Sequence, residues 1–422
     1  MKIAFPYGKT HLTYDFDEVK VLTSSIEEYD PGKSESQLVA EAMADPAGGI
    51  KLQELVKDKQ NIVIIASDHT RPVPSKVIMP PMLAAIREGN PVADITILIS
   101  TGCHRETTKE ELVAKFGEDI VAREKIVIHD CDDTANLVNI GTLPSGGQCI
   151  VNRIAVEADL LLAEGFIEPH FFAGFSGGRK SVLPGIAARE TVLANHCSEF
   201  IAHSCARTGI LDGNPIHADM LWAAKQAKLQ YVVNVVLNGE KQVIYAVAGE
   251  LEAAHKKGTD FLSGLCGVET EPADIVISTN GGYPLDQNVY QAVKGMTAAE
   301  AAVKAGGIII MLADSSDGLG GDHFYHQLAD EKDINKTMDL FLSRSRNETV
   351  PDQWQSQIFI RILQKATVIY ISQMDDAIVE AMHMIPAKDL TDAMEKAKQL
   401  VKKEKPGITA IPDGVAVMVK GK

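Results

Sequence analysis

Five polar clusters in this sequence gather side chains that hold anions, move protons or bind metals. The first is Ser67-Asp68-His69-Thr70-Arg71-Pro72-Val73-Pro74. Asp68 could fix a hydroxyl or orient a cation, and the planar Arg71 guanidinium is a rigid fork for a carboxylate or phosphate. Pro72 and Pro74 stiffen the loop, although a loop ion pair leading into a helix N-cap would use the same residue types. The second is Thr101-Gly102-Cys103-His104-Arg105. His104 titrates near neutrality and so can take or give a proton, yet a lone loop histidine is more often simply a surface residue.

The third cluster, residues 165–185, is the densest, with His170, Arg179, Lys180 and five glycines. Glycines let a backbone approach a phosphate closely. A P-loop needs Gly-x-x-x-x-Gly-Lys-Ser/Thr, but counting from Gly174 puts Arg179 where the second glycine belongs, and Pro184 cuts short the helix that should follow. A mononucleotide phosphate held by Ser176, Gly177 and Gly178 stays open. The fourth cluster ends at His196, sixteen residues beyond Lys180 and at the end of an apolar helical stretch. Such a histidine either interacts with the helix C-terminus or, neutral and held by a further partner, ligates a metal. The fifth runs over 279–295. Tyr290 and Lys294 are four apart and share a helix face with Gln291 beside them, which suits a substrate carboxylate or a solvated face. Trp354, one of two tryptophans, reads as a lid or a core residue.

The elements that must position these residues are legible as apolar runs. Residues 61–67, 95–100, 125–128, 159–163 and 231–237 read as buried strands, with helices over 75–87 and 108–116 between the first three. Continuous apolar strands separated by helices indicate parallel β-α-β units. A break near 265–273 follows a helix over 251–262, and a fresh pattern begins with strands at 274–278, 306–312 and 367–371 and a helix over 391–402. The chain is therefore expected to be α/β. It divides into an N-terminal domain over 1–267, carrying the lysine and three histidines, and a C-terminal domain over 268–422. The sheets are mostly parallel, with an interdomain active-site cleft, because ligands in such sheets bind beyond the carboxyl ends of the strands. A length of 422 residues exceeds what a single core of about 250–300 residues supports.

The formal net charge of −16 argues against a nucleic-acid partner or an anionic membrane surface. The six cysteines include no Cys-x-x-Cys pair, and scattered cysteines in a long chain read as reduced core residues. The start lacks the apolar run of a secretory signal, and no stretch approaches the ~20 apolar residues of a membrane span. The expectation is a cytoplasmic protein with no membrane partner.

Taken together, the stretches 67–75, 165–185 and 278–300 resemble the nickel-dependent lactate racemases, and the likeness runs on to Ile411-Pro412-Asp413-Gly414. The resemblance implies an isomerase that interconverts D- and L-lactate by hydride transfer through transient pyruvate. It implies a nickel-pincer nucleotide (pyridinium-3-thioamide-5-thiocarboxylic acid mononucleotide), joined covalently to Lys180, with His196 as the nickel ligand. It assigns acid/base roles to His104 and His170. It places Asp68, Arg71, Tyr290, Gln291, Lys294 and Trp354 along the cofactor and substrate site. It also implies maturation enzymes that supply the cofactor. A relative acting on another 2-hydroxy acid is the alternative. A zinc hydrolase using the three histidines lacks any His-Glu-x-x-His pattern, and a non-catalytic cofactor carrier would share the same loops.

Overall fold

The structure is a computed structural model that describes residues 1–421. It forms two compact units, one of Met1–Ser25, Cys197–Ala202 and Leu265–Lys422, the other of Ile26–His196 and His203–Gly264.

The unit containing Ile26–His196 is built on a six-stranded sheet. Its order is Val243–Glu250, Leu229–Leu237, Leu160–Phe166, Asn61–Ser67, Asp94–Ser100, Lys125–Ile128. All neighbours are parallel except the pair Leu229–Leu237 and Val243–Glu250. Ile62, Val63, Ile64 and Ile65 are fully enclosed, as are Leu160 and Leu162. Strands covered on both faces read as unbroken apolar runs for this reason. The helix Ser75–Gly89 turns Ile78, Met79, Met82 and Ile86 into the same core. Asn61–Ser67 lies between Asp94–Ser100 and Leu160–Phe166, so the loops leaving the three strands emerge side by side at one sheet edge. That is the switch point at which open α/β sheets bind ligands.

The second unit repeats the plan. Its sheet runs Ile385–Ala387, Thr367–Ile371, Val303–Leu312, Ala273–Thr279, Ile408–Ile411, Lys20–Val21, every neighbour parallel. Ile277, Ile310, Ile369 and Ala410 form its core with Phe5 of the N-terminal hairpin. The helix Val289–Ala302 follows the central strand and starts at Asn288, whose Oδ1 accepts from the Gln291 N–H at 2.9 Å. Among the described residues no helix is long and apolar enough to cross a membrane.

The structure differs in detail from the periodicity. The strand expected at 159–163 continues to Phe166, because Glu164 and Gly165 pair within the sheet despite their poor strand propensity. The helix expected to stop at 262 reaches Cys266, through a Gly264 with open space around it. The hairpin strands Leu137–Thr142 and Gln148–Asn152 carry too mixed a pattern to stand out.

Candidate active site

Strand register brings the first two clusters together. Ser67 and Ser100 are direct partners in parallel neighbouring strands, so the loops that follow run alongside one another. Asp68, 1 % exposed, accepts from His104 Nδ1 at 2.8 Å through Oδ2. Its Oδ1 accepts from the Thr70 N–H at 3.2 Å and the Thr70 hydroxyl at 2.7 Å. Burial pushes this carboxyl up, but the His104 and Thr70 hydrogen bonds and the His104 and Arg71 charges outweigh it, leaving it below the usual range. With Nδ1–H given to Asp68, a neutral His104 carries its lone pair on Nε2. Arg71 is exposed and donates from Nη1 to the Thr70 hydroxyl at 3.2 Å. The loop is pinned from beneath. Lys115 Nζ donates to the Arg71 and Val73 carbonyls at 3.3 and 3.4 Å, and the Ser75 hydroxyl donates to the buried Glu164.

The third cluster reaches the same edge, with the Gly102 N–H donating to the Gly185 carbonyl at 2.9 Å. Pro169–His170 and Gly174–Phe175 form a small antiparallel pair. Within it the Ala173 N–H donates to His170 Nδ1 at 3.3 Å. A neutral His170 therefore carries its proton on Nε2, the reverse of His104. The ring packs edge-on to Phe172 at 4.5 Å, and Phe172 packs edge-on to His196 at 5.1 Å.

Ser176 and Gly178 have hydrogen-bond partners within the fold. The Ser176 hydroxyl donates to the Phe166 carbonyl at 2.9 Å and accepts from the Glu168 N–H at 2.8 Å. The Gly178 N–H donates to Asn234 Oδ1 at 2.9 Å. Gly177 has φ +76° and would press a Cβ to 2.9 Å from Ile167. These glycines answer to backbone shape and close packing.

Lys180 lies in the short 3₁₀ turn Gly178–Ser181, and His196 caps the helix Arg189–Asn195. His196 is buried, and its Nδ1 donates to the Val192 carbonyl at 2.9 Å. Burial first, and then the nearby Lys180 charge, pull this imidazole down to about 3. It is thus a neutral ring with its proton on Nδ1. Metal-binding histidines are held in this way, with the other ring N–H given to a carbonyl.

In the other unit, Tyr290, Gln291 and Lys294 occupy the first turns of Val289–Ala302. The Tyr290 hydroxyl is hydrogen-bonded to Asp352 and Trp354. Burial, and secondarily the Asp352 charge, raise the Tyr290 phenol well above its ordinary value. Asp352 has φ +64° and stands directly before the helix Gln353–Lys365. Trp354 is therefore partnered through its indole.

Sequence reasoning passed over Glu164, Lys115 and Asp352. A charged residue inside an apolar strand, as at Glu164, was the one available signal. Nothing in the pattern marks Lys115 or Asp352.

Comparison with known proteins identifies the family. The family models described as "Lactate racemase N-terminal domain" and "Lactate racemase C-terminal domain" match residues 7–209 and 268–419. A protein named lactate racemase from Thermoanaerobacterium thermosaccharolyticum is 52 % identical over 100 % of this chain and 99 % of its own. One of the same name from Lactiplantibacillus plantarum is 53 % identical over 99 % of each. The solved lactate racemase apoprotein from T. thermosaccharolyticum superposes with a TM-score of 0.96 at 51 % identity, covering 100 % of both chains. A Thermotoga maritima protein of 19 % identity shares the fold at a TM-score of 0.65, over 93 % of this chain and 100 % of its own. Full-length identity of this order, with both domain models matched, establishes that the chain is an isomerase and belongs to the lactate racemase family.

Proposed function

We propose that the chain racemises lactate with a nickel-pincer nucleotide held covalently by Lys180 and ligated through nickel by His196. The observation that carries this reading is His196 itself: buried, neutral, its Nδ1–H fixed on Val192, and close to the Lys180 charge. An imidazole nitrogen suits nickel, and an amine beside it is the chemistry a covalent anchor needs, so these residues fit the group.

Racemisation must break the C–H bond beside a carboxylate. Loss of that hydrogen as a proton would set a second negative charge next to the first, whereas loss as a hydride with the hydroxyl proton leaves neutral-carbonyl pyruvate. When bound, the cofactor would supply a hydride acceptor and donor. The protein handles the proton. His104, oriented by Asp68, takes a hydroxyl proton at Nε2, and His170 is assigned the matching role for the other enantiomer, with the ring proton that the Ala173 N–H bond places on Nε2 moved to Nδ1 when it acts as the base. The two rings must exchange protonation states in each turnover, so loss of either abolishes both directions. Arg71 and Lys294 offer cations for the substrate carboxylate or the cofactor's anionic groups. Tyr290, Gln291 and Trp354 are assigned to substrate binding on their chemistry.

The test is production together with cofactor-making enzymes, followed by intact mass and nickel content. A mass adduct that vanishes in Lys180→Ala, and nickel that is lost in His196→Ala, are expected. Enantiopure lactate and larger 2-hydroxy acids then fix the substrate. No adduct on the unaltered chain, with cofactor supply proven, would refute the proposal.

A further inference from the structure

Arg179 is among the largest fully enclosed side chains, at 1 % exposure. Its Nε donates to His217 Nδ1 at 3.0 Å and its Nη2 to the Ala173 carbonyl at 2.8 Å. Nη1 donates to the Ser176 and Gly177 carbonyls at 3.3 and 3.2 Å and meets His255 Nε2 at 2.8 Å. Among the described residues no carboxylate pairs with it. A guanidinium keeps its proton in proteins, so a whole positive charge is buried against carbonyls and two imidazoles. Buried charge without a counter-charge is costly and is kept where geometry demands it.

The loop supplies that demand. Gly174, Gly177 and Gly178 have φ of +79°, +76° and +51°, and the carbonyls of 173, 176 and 177 turn inward toward one point. Two of these groups are single steps from the candidate chemistry. Ala173, whose carbonyl Arg179 holds, donates its N–H to His170 Nδ1. The Gly177 carbonyl, also held by Arg179, accepts from the Lys180 N–H at 3.2 Å.

We infer that Arg179 is a positioning residue whose buried guanidinium templates residues 173–178, and so places both His170 and Lys180. His217 and His255 are the neutral walls of its seat. Burial holds both below the ordinary histidine value, so neither ring opposes the guanidinium with a charge; His217 Nδ1 accepts from its Nε, while His255 Nε2 donates to the Ser176 carbonyl at 2.9 Å. The part of the inference that concerns Lys180 loading rests on the proposed cofactor; the loop's shape does not.

The test is amide hydrogen exchange on the full unloaded chain for Arg179→Ala and Arg179→Lys, with and without free guanidinium at a concentration well below denaturing. Exchange at 173–178 should quicken about 10- to 100-fold in Arg179→Ala, the change in local opening expected when hydrogen bonds to a charged group are lost. The strands Asn61–Ser67 and Leu160–Phe166 should stay protected, and guanidinium should restore the loop. Arg179→Lys keeps the charge but not the fork, so it should fold and still show a fast loop. After cofactor supply, adduct formation at Lys180 should fall in both variants and recover with guanidinium in Arg179→Ala. Unchanged loop exchange in Arg179→Lys, or uniform loss of protection across strands and loop in Arg179→Ala without rescue, would overturn the inference. A fast loop beside an unaltered chain that takes no adduct would uphold the positioning role and refute the proposed cofactor instead.

Discussion

Replacing Asp68 by asparagine separates the orientation of His104 from everything else in the site. The carboxylate is enclosed, its Oδ2 lies 2.8 Å from His104 Nδ1, and the histidine side chain is 42 % exposed. Asparagine keeps the size but can donate to Nδ1. The ring then accepts there and carries its proton on Nε2, the atom proposed to take the substrate's hydroxyl proton. A hydrogen bond to a charged group is worth about 1.5–3 kcal/mol, which converts to roughly a 10- to 150-fold loss in kcat at about 1.4 kcal/mol per decade. A locked wrong tautomer could carry the loss toward ~10⁴, the cost of the corresponding change in a Ser-His-Asp triad. The assay is racemisation by fully loaded enzyme from each enantiomer, beside the Lys180 adduct mass, which should not change. A stability readout checks the same bond. The fold lowers the Asp68 pKa, so its contribution is present above the unfolded value near ~3.9 and disappears as pH falls through the folded value. The unaltered chain and Asp68→Asn should therefore differ in Tm near neutrality and converge on acidification. Full kcat with full loading, or a Tm gap that widens in acid, would refute the reasoning.

Three further outcomes follow from other sites. Burial raises the Glu164 carboxyl, so stability should decline as pH climbs above the unfolded value near ~4.3. Glu164→Gln should then gain Tm relative to the unaltered chain as pH rises, with no gain in acid, and a pH-independent difference would contradict this. At Gly174, φ is +79° and a Cβ would lie 2.4 Å from the Ile210 carbonyl oxygen. Gly174→Ala should cost about 2–4 kcal/mol, and calorimetry showing an unchanged Tm would exclude the clash. Asp352→Asn removes a charge that raises the Tyr290 phenol, so a tyrosinate difference titration should show one phenol ionising at lower pH than before.

Much of the scaffold was legible because parallel strands enclosed on both faces cannot hide their composition. Asn61–Ser67 and Thr367–Ile371 stand in the sequence as the structure has them. The pairing of Asp68 with His104 was not legible, because the two lie 36 residues apart and meet only through the Ser67–Ser100 register. His196 is a case where the bland and the functional readings coincide. The helix-end position that makes an ordinary cap is what puts Nδ1 on the Val192 carbonyl, the arrangement that the proposed metal-ligand role would also use. Lys115 stayed invisible since its work is done by a long flexible side chain reaching the Arg71 and Val73 carbonyls from the helix Lys109–Phe116.

The mismatch at residue 179 has a physical meaning beyond excluding a P-loop. Phosphate-binding loops and nests turn successive N–H groups inward onto an anion. Here the glycine-rich loop is inverted: the carbonyls of Ala173, Ser176 and Gly177 turn inward onto the Arg179 cation. The Gly178 N–H is taken by Asn234 and the Ser176 hydroxyl by its own hairpin. The same glycines that tempt a sequence reader toward a phosphate site are instead what allows three carbonyls to share one buried arginine, with Lys180 delivered at the end of the turn.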